Sequence, residues 1–424
     1  MSNSLLIKSV QINDLQSPFH QKTVDILIEN SKIANIGDNI STNDVEIFDA
    51  SGHSLSRGWF DVFANCPDPG EPWKESTESL SAAAINGGFT YVASLCGSNP
   101  LPDNATVIQQ IKNQTASLPI NIMPIGSSSE RIEGKEMAEV YEMHLAGAVA
   151  QTDGMVGSAS PSLRSKLMQY CASLNIPYLH FPFDSKLVTG GCVHEGFMHV
   201  NLGLKGLPTA SETMSLLSDI ELAKWLGTPL RILGISSSES LEIVKNAKKS
   251  GMDIKVAVPI MNLVYNESAL EDFDENYKVL PPLRTEQDRQ ALVQGVIDGT
   301  IDAICSNHQP SDIESKNVEF EYAHFGTATL PFFFPLLMEA FNEEHLPKAI
   351  QVLTTGASSF LNLVGSTLEV GQEANFTIFN LNDHTNLDNK NKGSLAYNVL
   401  GLNQSAKGRI VAVYTKGRLS KSKI

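Results

Sequence analysis

Apolar and polar positions alternate over short stretches at the start of the chain and change period near Gly58. Ser4 to Val10, Val24 to Glu29, Lys32 to Ile36 and Val45 to Asp49 read as short strands punctuated by Asn, Asp, Ser and Gly. Beyond Gly58, β-branched runs of about five to seven residues alternate with helical patterns of about ten to sixteen. The runs are Trp59 to Asn65, Phe89 to Leu95, Ile120 to Ile125, Ala148 to Thr152, Ile176 to Phe181, Leu230 to Ile235, Asp253 to Pro259 and Asp302 to Ser306. Helix starts fall between them: Ser236-Ser-Ser-Glu239 reads as a capping box ahead of Leu241, and Thr285 precedes Glu286-Gln-Asp-Arg-Gln. This repetition predicts a (β/α)8 TIM-like barrel rather than a doubly wound sheet. Such barrels span about 250 residues, and no glycine-rich dinucleotide turn follows the first strand. The predicted fold class is α/β. The barrel covers 57–365, and a small composite β-sandwich domain is built from 1–56 and 366–424, where Asn375 to Phe379 and Arg409 to Tyr414 return to strands. The apolar stretch Thr327 to Met338 reads as a core helix in preference to an interface.

Composition narrows the classes. With 42% hydrophobic and 18% charged residues, the 424-residue chain can bury a large core. A net charge of −16 without any Lys/Arg cluster excludes nucleic acid and anionic membrane as main partners. Five cysteines without a CxxC pair argue against a disulfide framework and for a reducing compartment. The start lacks a basic segment followed by a long apolar one, and the oily run Leu330 to Met338 is broken by Pro335. A soluble cytoplasmic protein is expected.

A barrel of this kind carries its chemistry at the C-terminal ends of its strands. Those ends are Phe63-Ala-Asn65, Cys96-Gly-Ser-Asn99, Thr152-Asp153, His180-Phe181, Gly234, Pro259-Ile-Met261 and Asn307-His308. A hydrolytic metal site needs three or more His, Asp, Glu or Cys converging with an open position for water. The ends offer Asp153, His180, Cys96 and His308, from different strands and without an HxH pair, which favours a polar rim over a metal centre. His194-Glu195 and His199 resemble a zinc-protease helix, but histidines five apart are separated by about 140° on a helix. Gly196 between them predicts a loop. The pairs Gly87-Gly88 and Gly190-Gly191 lack phosphate-cradle spacing and read as tight turns, and Ser236 reads as a helix cap, since no GxSxG elbow surrounds it.

Several segments together carry a family resemblance: Arg57-Gly-Trp-Phe-Asp-Val62, Pro69-Gly followed by Lys74-Glu, and Ala82-Ala-Ala-Ile-Asn-Gly-Gly88. They continue with Gly147-Ala-Val-Ala, Asn201-Leu-Gly-Leu-Lys-Gly-Leu-Pro208, Lys278-Val-Leu-Pro-Pro-Leu-Arg-Thr285 with Asp288-Arg, and Asp298-Gly-Thr-Ile-Asp-Ala303. Over nearly its whole length the chain resembles the dihydroorotases of the amidohydrolase superfamily, the type found with or near aspartate transcarbamoylase. The resemblance implies the ring opening of dihydroorotate, or the closure of carbamoyl aspartate, by zinc-bound hydroxide and a proton-shuttling carboxylate.

The sequence departs from that pattern where the chemistry resides. The family's His-x-His falls on Phe63 and Asn65, its substrate-gripping arginine on Pro67, and its substrate asparagine on Gly97. The strand-six histidine falls on Gly234, the histidine pair after strand seven on Ile260-Met261, and the asparagine before Pro-Pro-Leu-Arg on Leu280. Asp-His-Ala-Pro-His, whose first residue is metal ligand and general base, reads Asn307-His-Gln-Pro-Ser311. The carboxylate after strand four survives as Asp153, while the strand-five histidine maps to Phe181 or, with one inserted residue, to His180. In the first alignment His180 faces the outer helices; in the second it enters the pocket beside Asp153.

What the resemblance then implies is a scaffold whose reaction is gone, in a vestigial pocket of Phe63, Asn65, Pro67, Gly97, Phe181, Gly234, Leu280 and Ser311, with Asn307 at the degenerate base position. No cofactor is expected. Family members without the zinc ligands assemble in some bacteria with aspartate transcarbamoylase, which makes that transferase the first candidate partner of a non-catalytic subunit in pyrimidine biosynthesis. Homo-oligomers are also expected, since dihydroorotase relatives are often dimers. One alternative is an active cyclic amidohydrolase with zinc at a rearranged centre of Asp153, His180 and His308. Another is a sensor whose apolar pocket, lined by Phe63, Phe181 and Met261, holds a small molecule.

Overall fold

The structure is a computed structural model that describes residues 4–42, 45–156 and 159–424. Parallel strands Trp59–Cys66, Phe89–Cys96 and Asn121–Pro124 form one arc of the barrel, and Leu179–His180, Leu230–Leu233, Ile254–Pro259 and Ala303–Cys305 form the other. The arcs join twice. On one side Gln151 bridges in parallel to both Gly126 and Tyr178, so the fourth staves are reduced to a single residue where Ala148 to Thr152 predicts a full strand. On the other, Ala64 pairs with His308 and closes the ring.

Alternation along the strands sorts side chains into two shells, as the pleat requires. Val62, Ala93, Ala150, Leu179, Leu233, Ala257 and Ala303 fill the barrel interior, whereas Ile232, Val256, Val258 and Ile304 pack outward against the helices. The stretch predicted as a core helix is a short 3-10 turn, Leu330–Phe332, running into the helix Phe333–Ala340. Its aromatic residues are buried in that outer shell, with Phe333 against Phe89 and Phe334 against Trp59.

The helix Glu286–Ile297 starts as its sequence predicts, with Thr285 and Asp288 capping each other. The helix Ser238–Lys249 starts one residue later than its predicted box: Ser237, not Ser236, accepts the Ser240 N–H. Ser236 is withdrawn from capping because its hydroxyl and backbone N–H both donate to buried Glu212.

Residues from both chain ends build a second unit. Ser4–Ile12, Thr23–Glu29, Lys32–Gly37, Glu46–Asp49 and Ser54–Arg57 are continuous in one sheet with Phe376–Asn386, Ser405–Thr415 and Arg418–Lys421. These strands enclose an apolar cluster that includes Ile7, Ile26, Leu55, Phe376 and Ile378. Ser54–Arg57 is absent from the pattern reading because Ser-Leu-Ser-Arg looks polar. Its polar groups are spent internally, Ser56 accepting the Trp59 indole N–H and Arg57 pairing with Asp14 at 2.6 Å. Gly58 then threads between the two units: a Cβ there would lie 1.7 Å from Asn375 Oδ1 and 2.2 Å from Thr90 Oγ1.

Candidate functional site

A cavity of about 430 Å³ opens at the C-terminal ends of the barrel strands. Phe63, Leu95, Leu101, Ile132, Met155, Leu280 and Phe325 line it with apolar surface, and Asn65, Ser98, Asp153 and Gln309 are the polar side chains among them. Closure of the ring at Ala64 and His308 brings Gln309 beside Asn65, where Asn65 Nδ2 donates to Gln309 Oε1 at 3.2 Å. Gln309 Nε2 in turn donates to Asn307 Oδ1 at 3.2 Å, and Asn307 Nδ2 to the Leu280 carbonyl at 3.0 Å. Asn307 takes a left-handed φ of 48°, which asparagine tolerates better than most residues. The result is a chain of carboxamides across one wall.

The candidates Asp153, His180 and His308 are not brought together. Asp153 Oδ1 accepts the backbone N–H groups of Ser128 and Ser129 at 3.0 and 2.9 Å, and Oδ2 accepts the Ser129 hydroxyl at 2.6 Å. His180 pairs in register with outward-facing Ile232, and its Nδ1 lies 2.5 Å from Asp219, which also binds Arg164 at 2.7 Å. Asp219 and Arg164 belong to the helices Ala210–Leu226 and Pro161–Ser173, so His180 faces the outer helices and Phe181 takes the inward position. His308 accepts the Leu330 N–H at Nδ1 and therefore donates from Nε2 to buried Glu75 at 3.1 Å. Glu75 also receives the Ser79 and Ser394 hydroxyls.

Of the remaining positions, Phe63, Asn65, Gly97 and Leu280 line the cavity, whereas Pro67, Phe181, Gly234 and Ser311 do not. The Pro67 carbonyl accepts the Ser98 hydroxyl, and Ser311 is tied through its backbone to Asn398 and Tyr397. Gly97 has φ +99°, and a Cβ there would sit 2.7 Å from the Pro100 carbonyl oxygen. Gly234 has φ +88°, and a Cβ there would lie 3.5 to 3.7 Å from Met155, Pro281 and Phe181. Met261 is no pocket residue, because it packs into the shell between strands and helices. Cys96 lies in register with Cys66, whose thiol is pushed well above its ordinary value by the Cys96 thiol beside it and by burial. His199 falls on a helix, Phe197–Leu202, rather than the predicted loop, and its Nδ1 contacts the Gly196 carbonyl, away from any partnership with His194.

Two buried polar networks support the mouth. Arg284 donates to Ser236, Thr209 and Glu212 at 2.7, 3.0 and 3.1 Å, and its guanidinium lies 3.1 Å from His194 Nδ1. Burial, reinforced by that guanidinium, lowers His194 to about 4. Lys278 and Lys316 hold the loop that supplies Phe325 and Gly326. Lys278 donates to the carbonyls of Phe320 and Glu321 at 2.8 Å, and Lys316 to those of His324 and Gly326 at 2.9 Å. Burial lowers Lys316 to about 8. Phe325 and Lys316 carry no separate sequence signal, because the loop that delivers them follows strand eight without periodic pattern, whereas Lys278 and Gln309 lie in stretches that the family resemblance picks out without revealing these contacts.

Residues 58–240 match the family described as dihydro-orotase-like. A dihydroorotase of Carboxydothermus hydrogenoformans is 35% identical over 361 residues, 84% of this chain and 84% of that protein. One of Listeria monocytogenes is 32% identical over 420 residues, 98% of each. The chain belongs to the dihydroorotase family. Among solved structures, the L-hydantoinase (dihydropyrimidinase) from Arthrobacter aurescens aligns with a TM-score of 0.84 at 20% identity, over 99% of this chain and 96% of that one. A D-hydantoinase from Thermus sp. aligns at 0.81 and 18% identity, over 99% of this chain and 96% of that one. At this identity these neighbours attest the TIM barrel with its β-sandwich domain.

The zinc that the dihydroorotase family implies does not fit these residues. Phe63 has no lone pair to offer, the Asn65 amide is donated to Gln309, and the inward positions on strands five and six are Phe181 and Gly234. Asp153 is engaged by three donors. Among the described residues, no three His, Cys, Asp or Glu side chains stand close enough to hold a metal ion. Asn307, where the family resemblance would put the base, spends its amide on a carbonyl and cannot take up a proton. What this wall offers a bound molecule is apolar contact and hydrogen bonds.

Proposed function

We propose that this chain is a catalytically inactive member of the dihydroorotase family, a cytoplasmic structural or regulatory subunit of pyrimidine biosynthesis with aspartate transcarbamoylase as its first candidate partner. The supporting observation is the donor set at the strand ends: a carboxamide chain and a phenylalanine stand where hydroxide generation needs metal ligands and a base. Loss of several such groups at once removes both nucleophile and charge clamp, whereas packing that maintains the barrel is kept. No helix among the described residues is long and apolar enough to cross a membrane, which accords with a subunit that meets its partner in water. The partner assignment is tested by sedimentation of the purified chain mixed with aspartate transcarbamoylase. A complex heavier than either component is expected; two independently sedimenting species would end that assignment.

A further inference from the structure

The carboxamide chain has a fixed direction. The Leu280 carbonyl can only accept, so Asn307 must present Nδ2 to it and Oδ1 to Gln309; Gln309 must then donate Nε2 and turn Oε1 to Asn65, which answers with Nδ2. One atom is left over at the head of the chain. Asn65 Oδ1 receives no donor from any described residue, and Asn65 lines the cavity. A molecule that covers this oxygen without supplying a hydrogen would leave an unpaired acceptor.

The same wall disfavours anions. Among the described lining residues Asp153 is the one charged side chain, and none is Lys, Arg or His. Lys278 lies behind the lining, 5.0 Å from the Phe325 ring centre, with its ammonium committed to the Phe320 and Glu321 carbonyls. Arg131, next to Ile132, is exposed and is not a lining residue. A carboxylate entering the cavity would lose its hydration beside Asp153 without gaining a counter-charge.

We infer that the cavity binds an uncharged, largely apolar ring compound that donates an N–H to Asn65 Oδ1, and that it refuses the carboxylates its relatives' chemistry is built around. A volume of about 430 Å³ lies within the range of small-molecule pockets and admits a bicyclic ring. This inference rests on the proposed inactive reading, because a pocket that handled a charged substrate would need a cation.

Three naphthalenes of nearly one shape test it, titrated by calorimetry into the full-length protein: 2-naphthamide with an N–H, 2-acetonaphthone without one, and anionic 2-naphthoate. The amide is expected to bind about 5-fold tighter than the ketone, the ratio one net hydrogen bond confers, and the naphthoate not measurably. Asn65→Leu should bring the amide down to the affinity of the ketone, and Leu101→Trp, which puts a larger side chain on the lining, should abolish binding of both. Equal affinities for amide and ketone, naphthoate binding as tightly as the amide, or no binding by any of the three would each overturn the inference. Naphthoate binding without dihydroorotate turnover would sink this inference alone, whereas turnover would sink the inactive reading whatever the naphthalenes do.

Discussion

Asn65 shows how one side chain redirects a site: where the family resemblance implies an imidazole for a metal, a carboxamide that lines the cavity donates to Gln309 and leaves its oxygen without a donor among the described residues. Two buried residues make the stability depend on pH in opposite senses. His194 is lowered to about 4 from 6.5, so the unfolded chain binds more protons between those values and stability falls as pH drops from 6.5 to 4. Asp61, fully enclosed and accepting hydrogen bonds from Ser306, is raised by burial from 3.8 to about 7, so the folded chain binds the extra proton and stability falls as pH rises through that window. The two slopes overlap and partly cancel in the unmodified protein. Urea denaturation at pH 5 and pH 8 is expected to show Asp61→Asn gaining stability relative to the parent as pH rises. His194→Asn should gain relative to the parent as pH falls. Parallel pH profiles for parent and variants would mean that neither group titrates as its burial requires.

At the level of elements, the loops above the barrel are fastened by charge rather than by long strands. Arg284 joins the stretch after strand seven to Glu212 on the helix Ala210–Leu226, and both are almost fully buried. Arg284→Met should cost about 3–5 kcal/mol in urea unfolding, because Glu212 is left as an unpaired buried charge; adding Glu212→Gln should recover part of that loss. A loss below 1 kcal/mol would show that water reaches the pair. Installing on strands one and eight the ligands that the family resemblance implies should fail for a reason of backbone and packing. Phe63→His with Asn65→His and Asn307→Asp still meets Phe181 on strand five, and Gly234→His would place a side chain at φ +88°, at a cost of about 1–3 kcal/mol. Elemental analysis of the triple variant should find zinc far below stoichiometric; one zinc per chain would contradict this geometry. The barrel strands were legible because parallel strands buried on both faces read as continuous apolar runs. The fourth was overcalled because its pairing shrinks to Gln151, and Ser54–Arg57 was missed because its polar groups are satisfied by Trp59 and Asp14, partners that no local pattern reveals.

On the scale of the whole molecule, the parts that hold the fold together and the parts that would perform chemistry have separated. The outer shell of the barrel, the capping of its helices and the composite sheet are intact, and the inward faces of strands one, five and six carry Phe63, Phe181 and Gly234. The family resemblance assigns Phe63, Asn65 and Asn307 to ligand and base positions but leaves His180 and Phe181 open, because a one-residue shift reverses every face of a strand. Register with Ile232 and the contact with Asp219 decide it. Nor could it foresee that Asn65, Gln309 and Asn307 join into one chain, which depends on the bridge between Ala64 and His308. The most direct test of the account is a single-turnover assay, with protein in excess over dihydroorotate in zinc-containing buffer and carbamoyl aspartate as the product measured. No ring opening above the protein-free rate is predicted. Product formed at an accelerated rate, and abolished by Asp153→Asn, would contradict it and place a working metal centre where these residues leave no room for one.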